Sequence, residues 1–475
     1  MARINTNVGA LAAQRHLNQS YGSLNQTIER LSSGLRITRG ADDPAGLIVS
    51  ERLRSEISAV NQAMVNTQRA GNIIATTEGA LDEVARLLTD VQDLIVESAN
   101  EGALSREEIE ANQLQIDSAI ASITRIANTT TFAGRRLIDG SLDYITSGVN
   151  TSEVTALQIH GAQFGTRSYI PINIDVTQSA QPAQLTFPNA TVTSSVTIEI
   201  QGNDGVTTLP FTSGTTAGQM LDAVNAVSDA TGVVATFVSA TDSTQGIILS
   251  SSELGSRQFV SVQALTGTFD VQDASGSVVK RDEGRDAVAL INGALSVGDG
   301  NHLTLKTATL DLELDLAQTF GQGTTSFAIT AGGALFQVGP EVNSNLQVNL
   351  GVQSVAASRL GNGRTGFLSQ IQSGGDFSVV NGKALEAQRI VEKAITQVAV
   401  QRGRLGAFEK NTLETNVNQL GITMENLTAA ESVIRDADFA QETSNLTRNQ
   451  ILVNAGTSVL GIAQQTPQTI LGLLR

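Results

Sequence analysis

Both ends of this 475-residue chain carry narrow apolar seams, where chain ends are ordinarily polar and frayed. Tyr21, Leu24, Ile28, Leu31 and Leu35 recur at alternating steps of three and four, a heptad seam and not the broad face of a helix on a globular core. Ile4, Val8 and Leu11 repeat the pattern out of phase, so the stripe shifts around the helix near residues 15–18. At the far end Leu452, Ala455, Val459 and Ile462 make a similar stripe up to Pro467, where a break is expected, and Ile470, Leu471 and Leu473 keep the terminus apolar. A lone helix with so thin a seam does not hold in water. The ends therefore predict self-assembly. Ile4, Val8, Leu11, Leu24, Ile28, Leu31 and Leu35 are expected opposite Leu452, Val459, Ile462, Ile470, Leu471 and Leu473, packing within and between subunits. On this reading Leu31→Asp abolishes the polymer and leaves the inner bundle folded.

Inside the seams the helical pattern continues. Asp43 followed by Pro44 reads as an N-cap and a first helical residue, opening a helix that runs to about residue 100. Ser105 with Glu108 forms a capping box, followed by Ile109, Ile116, Ile120 and Ile123 on one face. Val391, Val398, Leu405, Phe408, Leu420, Met424, Leu427 and Ile434 mark the returning helices. Between them composition changes. Five of the seven prolines fall in residues 145–380, among Thr, Ser, Val and Gly, a strand-and-turn composition. Strands are expected near 191–201 and 205–211 around Gly202-Asn203-Asp204-Gly205, then a helix over 215–230 and strands near 232–240, 245–251 and 257–265. A second group has a short helix near 283–292 and strands near 301–306, 309–316 and 325–330.

The fold class that follows is α+β and multidomain. Long antiparallel or coiled-coil helices from both termini form inner domains, and a β-rich α+β outer region is inserted between them. The expected division is an inner helix over 1–40 pairing with 440–475, a helical rod over 41–145 and 336–439, and an outer region over 146–335. That outer region divides into subdomains near 185–267 and 268–335. Residues 185–335 hold 15 acidic against 5 basic side chains, −10 of the total −16, which suits a solvated exterior.

Composition removes most chemistry. Cysteine is absent, and with it disulfides, thiol nucleophiles and iron–sulfur ligands. The three histidines, His16, His160 and His302, stand more than a hundred residues apart, with no H-E-x-x-H or G-x-S-x-G pattern. Gly361-Asn362-Gly363-Arg364-Thr365-Gly366 has the letters of a dinucleotide loop but neither a following long helix nor an acid about 20 residues on. It reads as a chain return. Asp311, Glu313 and Asp315 read as an exposed strand face, since a calcium loop needs a central glycine turn and closing glutamate. No catalytic, cofactor or metal site is expected. The net charge disfavours nucleic acid, and no apolar run is long enough to cross a membrane. The run from Val8 to Ala13 is too short for a signal-peptide core.

The residues that argue for assembly also resemble a known family. Met1-Ala2-Arg3-Ile4-Asn5-Thr6-Asn7, Leu31-Ser32-Ser33-Gly34-Leu35-Arg36-Ile37 and Ala41-Asp42-Asp43-Pro44-Ala45-Gly46 resemble the N-terminal region of bacterial flagellins. So do Glu97-Ser98-Ala99-Asn100 and Phe132-Ala133-Gly134, and toward the other end Met424-Glu425-Asn426-Leu427, Ile434-Arg435-Asp436-Ala437-Asp438-Phe439-Ala440 and Pro467-Gln468-Thr469-Ile470-Leu471-Gly472-Leu473-Leu474-Arg475. The resemblance covers residues 1–140 and 336–475. It implies a secreted, extracellular filament subunit for swimming motility, which passes unfolded through the flagellar export apparatus. The partners it implies are further copies of the chain, an export chaperone, the filament cap and hook-junction proteins. Two departures stand out. A hairpin like Phe336–Gly339 with Gln347–Leu350 precedes the outer domains in many flagellins and follows them here, which places the insertion near residue 145. The family's innate-receptor segment maps onto residues 86–100 with Leu94 kept, but Asp90 stands where strongly recognised flagellins carry arginine. Arg86, one turn back, offsets this only in part, so weak recognition is expected.

Three other readings stay open on sequence alone. A hook–filament junction protein shares the terminal helices, and an enzyme or an adhesin displayed on a helical scaffold would use the insert.

Overall fold

The computed structural model describes residues 6–239, 242–307 and 309–473, apart from the side chains of residues 242, 243 and 466–473. The chain opens with helices α1 (Val8–Ser33), α2 (Pro44–Ser98) and α3 (Arg106–Thr129). Two short helices lie among the strands, α4 (Ala217–Asn225) and α5 (Ser228–Thr231). It closes with α6 (Ala384–Phe408), α7 (Thr415–Arg435) and α8 (Phe439–Leu473). Two compact units result. The end unit takes residues up to 69, 337–342 and from 410 on. The sheet unit takes 70–336 and 343–409. The 55-residue α2 contributes to both.

Local chemistry starts the helices where the sequence says. Asp43 Oδ1 accepts the Gly46 N–H at 2.9 Å, and Pro44 follows where its missing N–H costs nothing. Ser105 and Glu108 close a reciprocal capping box. Glu108 is held below the usual carboxylate range by the Ser105 backbone N–H and hydroxyl. In the sheet unit the buried face of α2 runs Ile74, Thr77, Leu81, Val84, Leu88, Val91, Ile95, Ser98 at three-and-four steps. The α3 face is Gln113, Ile116, Ile120, Ile123 and Ala127. Asn112 Nδ2 donates to Ser98 Oγ at 3.3 Å. From α6, Arg402 reaches Asp82 of α2 at 3.0 Å. Continuation from α6 to α7 passes through one wide helical stretch, Glu409–Glu414, which the apolar pattern did not announce.

Two apolar cores fill the β-rich region. The first lies between a five-stranded antiparallel sheet, whose middle is Ile170–Gln178 and Gly323–Gly332, and a four-stranded one containing His302–Lys306, Leu310–Leu316 and Val154–Ala162. The second is built from residues 183–271, with α4 packed on the Val233–Ser239 and Asp242–Ser251 strands. Its four-stranded sheet holds the hairpin Val196–Gln201/Val206–Phe211 around residues 202–205. Gln181 and Arg285 exchange both backbone hydrogen bonds, at 2.8 and 2.9 Å, at the neck of this second core. The expected helix near 283–292 is not one. Arg281–Glu283 and Val288–Ile291 are strands, and Asn292-Gly293, both at positive φ, turn the chain into Ala294–Leu295.

The expected exposed face of Asp311, Glu313 and Asp315 is also corrected. These side chains are half-buried, and α6 and the neighbouring strands bring Arg404, His160 and His302 onto Glu313 and Asp315. Arg404 Nη2 pairs with Glu313 Oε1. His302 Nδ1 lies 2.5 Å from Asp315 Oδ1, and His160 Nε2 is 3.7 Å from Glu313 Oε2, an ion-pair distance longer than a hydrogen bond. The Glu313 carboxyl is pushed down to about 2, chiefly by His160, against partial burial and with help from Arg404. His302 is raised, chiefly by its bond to Asp315. Glu313 therefore stabilises above its ordinary 4.5 and loses that contribution as pH falls toward 2. His302 contributes fully below its ordinary 6.5 and fades as pH rises through its raised value. The unfolding midpoint of the sheet unit should fall below pH 4.5, and Glu313→Gln should flatten that acid-side fall. Equal slopes in calorimetry of both proteins would show that this cluster does not set it.

Candidate assembly interface

The end unit is organised by a clasp. Gly34, at φ 72°, ends α1 with its N–H on the Arg30 carbonyl. Beyond it the chain pairs briefly with the segment between α7 and α8. Arg36 N–H donates to Arg435 O at 2.7 Å, and Ala437 N–H to Gly34 O at 2.9 Å, around an isolated bridge between Leu35 and Asp436. Asp438 Oδ1 then accepts the N–H groups of Ala440 and Gln441, at 2.9 and 3.0 Å, and starts α8. The clasp holds the C-terminal end of α1 beside the N-terminal end of α8, so the two helices run antiparallel.

Their contact is a seam with heptad steps on both sides. On α1 it follows Ala10, Ala13, Leu17, Ser20, Leu24, Thr27 and Leu31, all buried or half-buried. On α8 it follows Glu442, Leu446, Asn449, Val453, Gly456, Leu460 and Ala463, again buried or half-buried. Four contacts fix the alignment. Arg30 meets the buried Glu442 at 3.4 Å. Asn449 Nδ2 donates to Thr27 Oγ1 at 3.0 Å. Leu17 lies over Gly456, where a Cβ would stand 3.1 Å from Leu17 Cδ1, so glycine permits the close approach. Asn7 Nδ2 donates to the Ala463 carbonyl at 2.6 Å.

Of the residues expected at the interface, Leu24 and Leu31 lie on this seam, and Leu35 is half-buried at the clasp. Val8, Leu11, Ile28, Leu452, Val459 and Ile462 do not pack across it. They are 44–66% exposed in the single chain. Ile4, and the side chains of Ile470, Leu471 and Leu473, fall outside the described residues. The helix does not break at Pro467 but continues to Leu473. Sequence reasoning missed Leu17, Val453 and Gly456. Leu17, Leu24 and Leu31 do stand seven residues apart, the signal that could have found the first of them. Each terminal helix thus carries a seam used within the chain and a second apolar strip left at the surface. Ser444, Thr447, Arg448, Ile451 and Leu452 line a shallow depression of about 440 Å³ on that surface of α8.

On α2, Asp90 is exposed and Leu94 half-buried. Arg86 is engaged by Asp82 at 3.0 Å and Glu83 at 2.9 Å. The chain return at Gly361-Asn362 pairs with Gly366-Phe367 as a small hairpin, and Gln397 of α6 holds Gly361 through both its N–H and its carbonyl. Among the described residues no group of three or more His, Asp or Glu is arranged to hold a metal ion, and no helix is long and apolar enough to cross a membrane.

Comparison with known proteins matches the family model for the bacterial flagellin N-terminal helical region over residues 4–143, and that for the C-terminal helical region over 388–474. A flagellin hook IN motif matches residues 197–253. The chain is 30% identical to a B-type flagellin of Pseudomonas aeruginosa over 99% of each chain. It is likewise 30% identical to a flagellin of Salmonella typhimurium over 99% of each. A solved structure of FliC from Burkholderia pseudomallei aligns at 14% identity over 72% of this chain and 99% of that one, with a TM-score of 0.24, too low to bear on the fold.

Proposed function

This chain belongs to the bacterial flagellins, a structural subunit of the flagellar filament that serves motility, and we propose that it polymerises through its two paired terminal helices. The observation that carries this reading is the pair of seams on each end helix. One seam joins α1 to α8 with heptad steps on both sides, which supports reading the pair as an antiparallel coiled coil. The other leaves Val8, Leu11, Ile28, Leu452, Val459 and Ile462 in water, and burying such a strip against further copies is the main apolar gain open to the ends. The same role is proposed for Ile4, Ile470, Leu471 and Leu473, whose side chains lie outside the described residues. In this arrangement residues 1–40 and 440–475 form the inner layer, 41–145 and 336–439 a helical rod, and 146–335 the acidic outer region of two subdomains. The polymer is extracellular, reached through the flagellar export apparatus with its chaperone, and bounded by the cap and the hook-junction proteins. Absence of cysteine suits a chain threaded unfolded into an oxidising exterior.

Pelleting and negative-stain microscopy after seeding test this on the full chain, beside versions lacking residues 1–40 or 440–475 and one with residues 182–284 replaced by a short glycine linker. Excision at the Gln181–Arg285 neck removes a self-contained core and should leave filaments that are thinner. Loss of either end should leave none. Filaments from an end-truncated chain would overturn the reading, and soluble chain in all cases with active seeds would favour a junction protein. The receptor expectation stands as a second proposal. The exposed Asp90, beside an Arg86 already engaged by two acids, favours weak recognition, and Asp90→Arg should raise the signal in a reporter-cell assay. Equal activity of the two proteins would dismiss it.

A further inference from the structure

Proline has no N–H, so wherever it sits inside a helix the carbonyl four residues earlier loses its partner. In α8 that proline is Pro467 and the carbonyl is Ala463 O. The same oxygen receives Asn7 Nδ2 at 2.6 Å. Asn7 is also the N-cap of α1, its Oδ1 accepting the Ala10 N–H at 3.0 Å. One amide thus starts the first helix with its oxygen and completes the last helix with its nitrogen.

We propose that Asn7 is the register-setting residue of the terminal helix pair, its Nδ2 standing in for the N–H that Pro467 lacks. An apolar heptad seam tolerates a slip of seven residues, because one apolar side chain replaces another. Short of its C-terminal turn, α8 has one proline and so one carbonyl released in this way, and only one register satisfies both Asn7 and Ala463 O. The α8 ridge Glu442, Asn449, Gly456, Ala463 works in the same direction, each member meeting a different partner on α1. A single buried asparagine fixes register in coiled coils by the same logic. This inference rests on the reading of the ends as assembly elements. A pair locked in one register presents the surface strips of α1 and α8 to neighbouring copies in one alignment.

Seeded polymerisation of full-length chains tests it, reading the monomer concentration that remains in equilibrium with filament. The proteins are wild type, Asn7→Asp, Asn7→Ser, Pro467→Ala and the Asn7→Asp/Pro467→Ala double variant. Asp keeps the N-cap oxygen and has no donor, and Ser keeps the N-cap oxygen but replaces the amide with a shorter hydroxyl, so any loss reports the lock and not the cap. Each single Asn7 change should raise that concentration about five- to tenfold, the scale of one hydrogen bond. Pro467→Ala restores the missing N–H, so in its background Asn7→Asp should cost less than about twofold. An equal cost in both backgrounds, or none in the native one, overturns the proposal. Where a single variant gives no filaments, filaments from the double variant support the lock and their absence overturns it. Leu17→Cys with Gly456→Cys gives a readout independent of polymerisation. The chain has no other cysteine, and a Cβ on residue 456 lies 3.7 Å from Leu17 Cβ, a disulfide distance. The intrachain bond should form more slowly with Asn7→Asp and recover with Pro467→Ala. An unchanged rate in Asn7→Asp overturns the lock, whereas crosslinking of the double-cysteine chain with native Asn7, beside a wild-type chain that never polymerises, tells instead against the assembly reading.

Discussion

Leu17→Asp should abolish filaments at concentrations where the wild-type chain polymerises completely, while the sheet unit unfolds at its wild-type temperature. Leu17 is 8% exposed, and on α1 only it and Thr27 are fully buried by α8. A carboxylate there sits against Gly456, where the nearest surface of α8 is backbone and offers no cation. Stranding a charge in such a place costs about 3–5 kcal/mol, enough to raise the monomer concentration needed for growth by about 10²–10⁴-fold. The apolar cores of the sheet unit draw on none of these residues, so its calorimetric transition should not move. Val459→Asp makes the companion case. That side chain is 54% exposed in the single chain, so a charge there spares the α1–α8 pair and acts only where another copy covers it. Both variants should therefore fail in pelleting assays, and only Leu17→Asp should also lose protection of α1 in hydrogen exchange. Filaments from Leu17→Asp would mean that pairing within the chain is dispensable, and filaments from Val459→Asp that its strip stays wet in the polymer.

What could be read in advance divides along physical lines. Local signals were legible because their chemistry is complete within a few residues. Asp43-Pro44 and the Ser105/Glu108 box start helices as expected, and the turn at residues 202–205 joins the strands on either side. The misread segment at 283–292 has helix-tolerant charges and alanine, yet Asn292-Gly293 is a strong hairpin signal, and the burial of Val288–Ile291 alternates as a strand's does. Nonlocal facts were hidden. The stripe of Val8, Leu11, Ile28 and Val459 was visible as apolar spacing, but spacing cannot say whether the same chain or another copy covers it. Gly456 was invisible because its part in the seam is the absence of a side chain. Pro467 was read as a break because the donor that compensates for it lies 460 positions away in sequence, at Asn7. Glu313 met the same difficulty, since Arg404 and His160 reach it from distant parts of the chain.

Gln113 exposes the limit of apolar periodicity most sharply, and replacing it should have the largest effect on the sheet unit. It stands between Ile109 and Ile116 at the seven-residue steps of the α3 face, where the pattern calls for a leucine. It is 2% exposed, and all four of its hydrogen-bonding positions are used. Its Nε2 donates to Ile371 O and to Asp117 Oδ1, both at 2.9 Å. Its Oε1 accepts Ser378 Oγ at 2.8 Å and the Val379 N–H at 3.0 Å. Asp117 in turn accepts the Ser373 N–H at 2.8 Å. One glutamine thereby pins the loop from 371 to 379 onto α3. Gln113→Leu improves the apolar stripe and leaves the Ile371 carbonyl and the Val379 N–H buried without partners. Each unpaired group costs about 1–3 kcal/mol, against a gain of about 1–2 kcal/mol for the added apolar surface. Two such groups set against that gain leave a net loss centred on about 2.5 kcal/mol, which should lower the melting temperature of the sheet unit by about 5 °C. Leu114→Gln is the matched control, since the adjacent Leu114 is 68% exposed and its replacement should change the melting temperature by less than about 1 °C. A Gln113→Leu chain as stable as wild type would show that the loop from 371 to 379 is held by its apolar anchors, Leu368, Ile371 and Val379, and that the amide network is incidental to the fold.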